Sequence, residues 1–89
     1  MKIGEIVRVL SRIRDEDAMG RFLEEILTPA EIHDLALRWD LMKLLKKGVP
    51  QRQIAQDLGI SLCKITRGAK IIHDPGSVTN RILGKKQQT

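Results

Sequence analysis

Apolar residues recur at helical spacing along most of the chain, and the breaks between stripes predict a series of helices with no strands. Ile3, Ile6, Val7, Leu10 and Ile13 form the first stripe. Asp15-Glu16-Asp17 interrupts it. These acids suit the start of a second helix, because the macrodipole favours negative charge there. Ala18, Met19, Phe22, Leu23 and Ile26 supply its apolar face. Thr28-Pro29-Ala30-Glu31 marks a third start: Thr28 as N-cap, Pro29 in the first helical position, and Glu31 reaching back to complete a capping box. That helix is expected to run to about Lys47 and end before Gly48. Its apolar residues (Ile32, Leu35, Ala36, Leu37, Trp39, Leu41, Met42, Leu44, Leu45) cover more than one face. Such a helix is expected to be buried on most sides, against its own chain and a partner chain.

The next two helices carry the strongest pattern. Gln51 to Arg67 reads as a helix, a tight turn and a second helix. Ala55 is small enough for a second helix to cross closely, Gly59 suits a positive φ at the turn, and Ser61 can cap the second helix. Ile54, Leu58, Ile60, Leu62 and Ile65 are expected to form the buried face. The second helix is predicted over Ser61 to about His73, with Leu62, Ile65, Ala69 and Ile72 inward and Cys63, Lys64, Thr66, Arg67 and Lys70 outward. This is the spacing of a helix-turn-helix, whose second helix enters the major groove of DNA. Asp74-Pro75-Gly76-Ser77 breaks the pattern, and Val78, Ile82 and Leu83 suggest a short last helix before a frayed basic tail. The expected organisation is one all-α domain: dimerisation helices over 1–48, a reading head over 50–73, a C-terminal helix over 76–84 and a tail over 85–89.

Charge sharpens this picture. Residues 1–45 hold seven Lys/Arg and nine Asp/Glu, a net of −2; residues 46–89 hold nine and two, a net of +7. The positive field sits on the half with the reading head and attracts a polyanion. In the first turns, Lys64 can donate to guanine acceptors, Thr66 offers a hydroxyl and a methyl, and Arg52 can reach a phosphate or a guanine. Phe22 and Trp39 are the only large aromatic residues, too few for a single-strand stacking platform. The single cysteine, Cys63, excludes an internal disulfide framework and fits a reducing compartment. No apolar run is long enough to span a bilayer, and Lys2, Glu5 and Arg8 interrupt any signal-peptide core, so a cytoplasmic location is expected. His33 and His73 have no partners at metal-ligand spacing, and the acids form no catalytic pair, so neither a metal site nor an enzyme is expected.

From about Leu27 to Ile72 the chain resembles the bacterial Trp repressor family. The likeness rests on Leu27-Thr28-Pro29, Arg38, Gly48, Gln51-Arg52 and Ile65-Thr66-Arg67-Gly68. It implies a six-helix fold and an intertwined homodimer whose N-terminal helices wrap the partner. It further implies a sequence-specific repressor on a palindromic operator of double-stranded DNA, with L-tryptophan as corepressor. In that family the ligand sets the two heads at the spacing of successive major grooves, about 34 Å. Carried onto this chain, Arg38 and Arg67 would sandwich the indole, while Arg67 and Thr28 would hold the carboxylate. Gly68 would leave room for the ring, and carbonyls near the partner's Glu25 and the partner's Leu27 would receive the ammonium. Gln51, Arg52, Leu62, Cys63, Lys64, Thr66 and Lys70 would contact DNA.

The chain also departs from the family pattern. Ile71 stands where the family has a serine near the ammonium, Ala69-Lys70 replaces Ser-Asn, and the loop before the reading head is one residue shorter. Losing a polar partner for a buried ammonium weakens binding by about 1–3 kcal/mol if nothing replaces it. Two alternatives follow: a regulator of the same fold with a different effector or none, and a helical adaptor that uses its basic half to bind an acidic protein.

Overall fold

The computed structural model describes residues 2–84; the expected tail over 85–89 lies outside them. Among the described residues there are six helices and no strand: α1 (Gly4–Arg12), α2 (Glu16–Ile26), α3 (Pro29–Lys47), α4 (Gln51–Leu58), α5 (Leu62–His73) and α6 (Val78–Leu83). The all-α expectation and the helix count hold.

The boundaries follow from short-range hydrogen bonds. Asp15 caps α2 by accepting from the Ala18 N–H at 2.9 Å. At α3 the capping box closes in both directions: the Thr28 N–H donates to Glu31 Oε1 at 2.8 Å, and the Glu31 N–H donates to Thr28 Oγ1 at 3.2 Å. Two otherwise orphaned amides are thereby satisfied. Gly48, at φ 87°, ends α3. Ser77 caps α6 by accepting from the Asn80 N–H at 3.0 Å.

The chain divides into two compact units, Met1–Asp34 and Leu35–Thr89. In the first, no described residue is buried, and Ile3, Val7, Val9 and Ile26 are all exposed. In the second, Leu41, Ile54 and Ile65 form the core, with Leu44, Leu45, Val49, Ala55, Leu58 and Ile60 packed against it. Gly68, Ala69 and Ile72 are also buried, on the same side of α5 as Ile65. Lys46 of α3 donates to Asn80 Oδ1, which ties α6 to the end of α3.

Within one chain Leu41 is the only buried residue of α3, and Leu35 and Trp39 are exposed, so the cover expected from a partner chain is not present here. One packing expectation needs correction: Leu62 does not join the buried face of the reading head, being 60% exposed. The wheel angle places it near Ile65 and Ala69. It stands, however, at the first position of α5, ahead of the buried run that begins at Ile65.

Candidate functional site

The geometry of the α4–α5 hairpin is set by three local features. Gly59 adopts the left-handed conformation, φ 63° and ψ 35°, and its N–H donates to the Ala55 carbonyl at 2.9 Å. A side chain there would be strained, so glycine ends α4 and turns the chain at little cost. Ser61 accepts from the Lys64 N–H at 3.4 Å and starts α5. Ile54 and Ile65, both fully buried, then lock the two helices over Leu41. With Ile65, Gly68, Ala69 and Ile72 turned inward, Cys63, Lys64, Thr66, Arg67 and Lys70 remain exposed, as the wheel predicts.

The exposed side of α5 borders a groove of about 430 Å³ lined by Leu62, Cys63, Thr66, Arg67 and Lys70. No carboxylate lines it. The Thr66 hydroxyl donates to the Leu62 carbonyl at 2.8 Å, so its proton is engaged within the helix. Gln51 and Arg52 occupy the first turn of α4 and are exposed, but they do not line this groove. Asp57, one of two acids in the basic half, is held by Gln53, whose Nε2 donates to its carboxylate oxygens at 3.0 and 3.1 Å.

A second cavity, of about 240 Å³, lies between α3 and α5. Arg38, Leu41 and Met42 line it from α3; Lys64, Arg67, Gly68 and Ile71 line it from α5. The structure therefore brings Arg38, Arg67 and Gly68 together. Ile71, which departs from the family pattern, borders the same space. Arg67 borders both the cavity and the outer groove. Among the described residues the one ion pair is Lys43 with Asp40 at 3.3 Å; Arg38 and Asp34 are not joined.

Sequence reasoning missed Met42 and grouped Lys64 only with the outward readers. The signal was present in helical spacing: 38, 41 and 42 on α3, and 64, 67, 68 and 71 on α5, each fall on one face. Gly68 also has a second role. A Cβ at this position would lie 2.9 Å from Leu45 Cδ1 and 3.2 Å from Leu41 Cδ2, so the glycine lets α5 approach α3 closely.

The other predicted effector contacts, Glu25, Leu27 and Thr28, belong to the first unit. Leu27 borders a cleft of about 380 Å³ with Glu24, Pro29 and Ile32. Thr28 Oγ1 already accepts from the α3 amide of Glu31, which leaves its proton and one lone pair for other partners. Glu25 is exposed. Among the described residues no group of three or more His, Cys, Asp and Glu is placed to hold a metal ion. No helix is long and apolar enough to cross a membrane.

A short helix, a glycine turn and a capped second helix with a cationic exposed side define a helix-turn-helix protein. The comparisons narrow this class. The family model described as Trp repressor protein matches residues 2–87. A Trp operon repressor homolog of Xylella fastidiosa (strain M23) is 39% identical over 70 residues, covering 78% of this chain and 76% of that one. One from Chlamydia caviae is 33% identical over 70 residues, covering 78% and 69%. One from Pasteurella multocida is 46% identical over 64 residues, covering 67% and 63%. No solved structure matches the chain significantly. The chain belongs to the Trp repressor family, a family of transcriptional regulators.

Proposed function

We propose that this chain is a sequence-specific repressor that binds a palindromic operator as a homodimer, with α5 in the major groove and L-tryptophan as corepressor. The supporting observation is Arg67. Its side chain borders both the exposed groove of α5 and the cavity with Arg38. A ligand in the cavity and a duplex against the groove would both meet Arg67, which offers a physical route for coupling the two. The apolar floor of Leu41, Met42 and Gly68 suits a planar ring, and the guanidiniums suit a carboxylate.

The homodimer is supported by the first unit. Its helices carry apolar stripes with no fully buried residue, and a second copy of the chain would supply the missing cover. Gln51, Arg52, Leu62, Cys63, Lys64, Thr66 and Lys70 are the proposed DNA contacts, and Thr28 with the partner's Glu25 and the partner's Leu27 are the further proposed effector contacts.

Ile71 favours a second reading, a regulator with another effector or none. It lines the cavity with an alkyl side chain at the position where the family pattern has a serine, so it offers a buried ammonium no acceptor. The deciding experiment selects bound sequences from random duplex DNA, with and without L-tryptophan, and measures equilibrium affinity for the winners. Palindromic winners bound more tightly with tryptophan support the first reading. Palindromic winners with no tryptophan effect, and no heat in calorimetry, support the second. Binding without sequence preference at physiological salt would reject both in favour of an adaptor.

A further inference from the structure

We propose that the first turns of α5 read the 5-methyl groups of thymine, with Leu62 as the main specificity-determining residue. This rests on the DNA-binding reading above and concerns how that surface chooses a sequence. Leu62 is 60% exposed at the first position of α5, although Ile65, one turn on, is fully buried. Cys63 beside it is exposed and is only a weak donor. Thr66 has its hydroxyl proton committed to the Leu62 carbonyl at 2.8 Å. It keeps lone pairs and a methyl but has no donor for guanine O6 or N7. Lys64, exposed on the same turn and itself a proposed DNA contact, borders the cavity beside Arg38, so Leu62, Cys63 and Thr66 form the tip of this groove.

The leading part of the groove is thus apolar, and its cations, Arg67 and Lys70, lie a turn or more further along. Those cations and the net +7 of residues 46–89 match a polyanionic duplex. In the major groove of DNA the thymine methyl is the one apolar base-edge group, and apolar side chains recognise it by contact. A groove with an apolar tip and cationic flank therefore selects thymine where a donor-rich tip would select guanine.

The test uses the full chain and an operator selected from random duplex. Each thymine is replaced in turn, symmetrically in both half-sites, by deoxyuridine, which removes only the methyl. Burial of one methyl corresponds to about a fourfold change in affinity, so a symmetric pair corresponds to about fifteenfold. The expected result is a loss of that order at one or more thymine positions. Leu62→Ala should bind the thymine and uracil operators alike, and Leu62→Ile should retain most of the difference. Because Leu62 is largely exposed, its truncation leaves the core intact, and circular dichroism checks this. Tight binding that is indifferent to every thymine methyl would overturn the proposal while leaving DNA binding in place. So would a Leu62→Ala variant as methyl-sensitive as the parent. Failure to bind any duplex would remove the DNA-binding reading and this inference together.

Discussion

Gly68 meets two demands at one position. It borders the Arg38 cavity, and it lies where α5 crosses Leu41 and Leu45. Alanine favours a helix over glycine by about 1 kcal/mol. Overpacking a core typically costs about 1–3 kcal/mol. Leu45 is half-buried and can rotate away from a new methyl, but Leu41 is 2% exposed and cannot. The packing term should win narrowly. Gly68→Ala is expected to lose about 1 kcal/mol and Gly68→Val about 3 kcal/mol, read from urea midpoints. The charged neighbours separate by location. Arg38 borders only the cavity, so Arg38→Ala should abolish any effector-dependent gain in DNA affinity and leave the effector-free affinity unchanged. Lys70 borders only the outer groove. Lys70→Ala should weaken binding to every sequence and lower the log–log salt slope by about one, measured by titration across salt concentrations.

The helices were legible because their limits are written in local chemistry. Thr28 and Glu31 exchange two hydrogen bonds across three residues, and Gly59 needs its φ of 63° whatever surrounds it. Such signals survive in sequence since no distant contact is needed to form them. A direct consequence concerns Gly59. A Cβ there would have open space around it, so only backbone strain opposes substitution. Gly59→Ala should cost about 1–2 kcal/mol, and Gly59→Asn clearly less, because asparagine tolerates the left-handed region. Thermal or urea unfolding of the three proteins checks the order. Burial was less legible. The wheel put Leu62 inward, yet coverage depends on where neighbouring helices stop. The pattern of α3 asked for cover on several faces, and one chain fully buries only Leu41, with Leu37, Met42, Leu44 and Leu45 half-buried. Arg38 entered through resemblance alone, since an arginine on an apolar helix carries no local sign of a cavity. The α5 side of that cavity was recoverable from the spacing of 64, 67, 68 and 71, had that face been compared with 38, 41 and 42.

For the whole molecule, the balance of buried and exposed apolar surface sets the expected assembly. The second unit has a core, while the first has amphipathic helices and no buried residue. Ile3, Val7, Val9 and Ile26 are exposed there, as are Leu35 and Trp39 on α3 and Val78 and Ile82 on α6. Two copies that bury these stripes against each other would gain the hydrophobic stabilisation that each lacks alone. Folding then depends on concentration by mass action. A tenfold rise in protein adds about 1.4 kcal/mol per dimer, which raises the unfolding midpoint by about 3–6 °C for an assembly of this size. Sedimentation should give two chains per particle, and the midpoint should climb with concentration. Val7→Asp would place a charge on the stripe of α1 and should lower both the dimer fraction and operator affinity while the α4–α5 hairpin keeps its helix content. A monomeric particle with a concentration-independent midpoint would contradict the dimer. It would also undo the palindromic operator, because a single α5 has no symmetry partner to place in the next major groove.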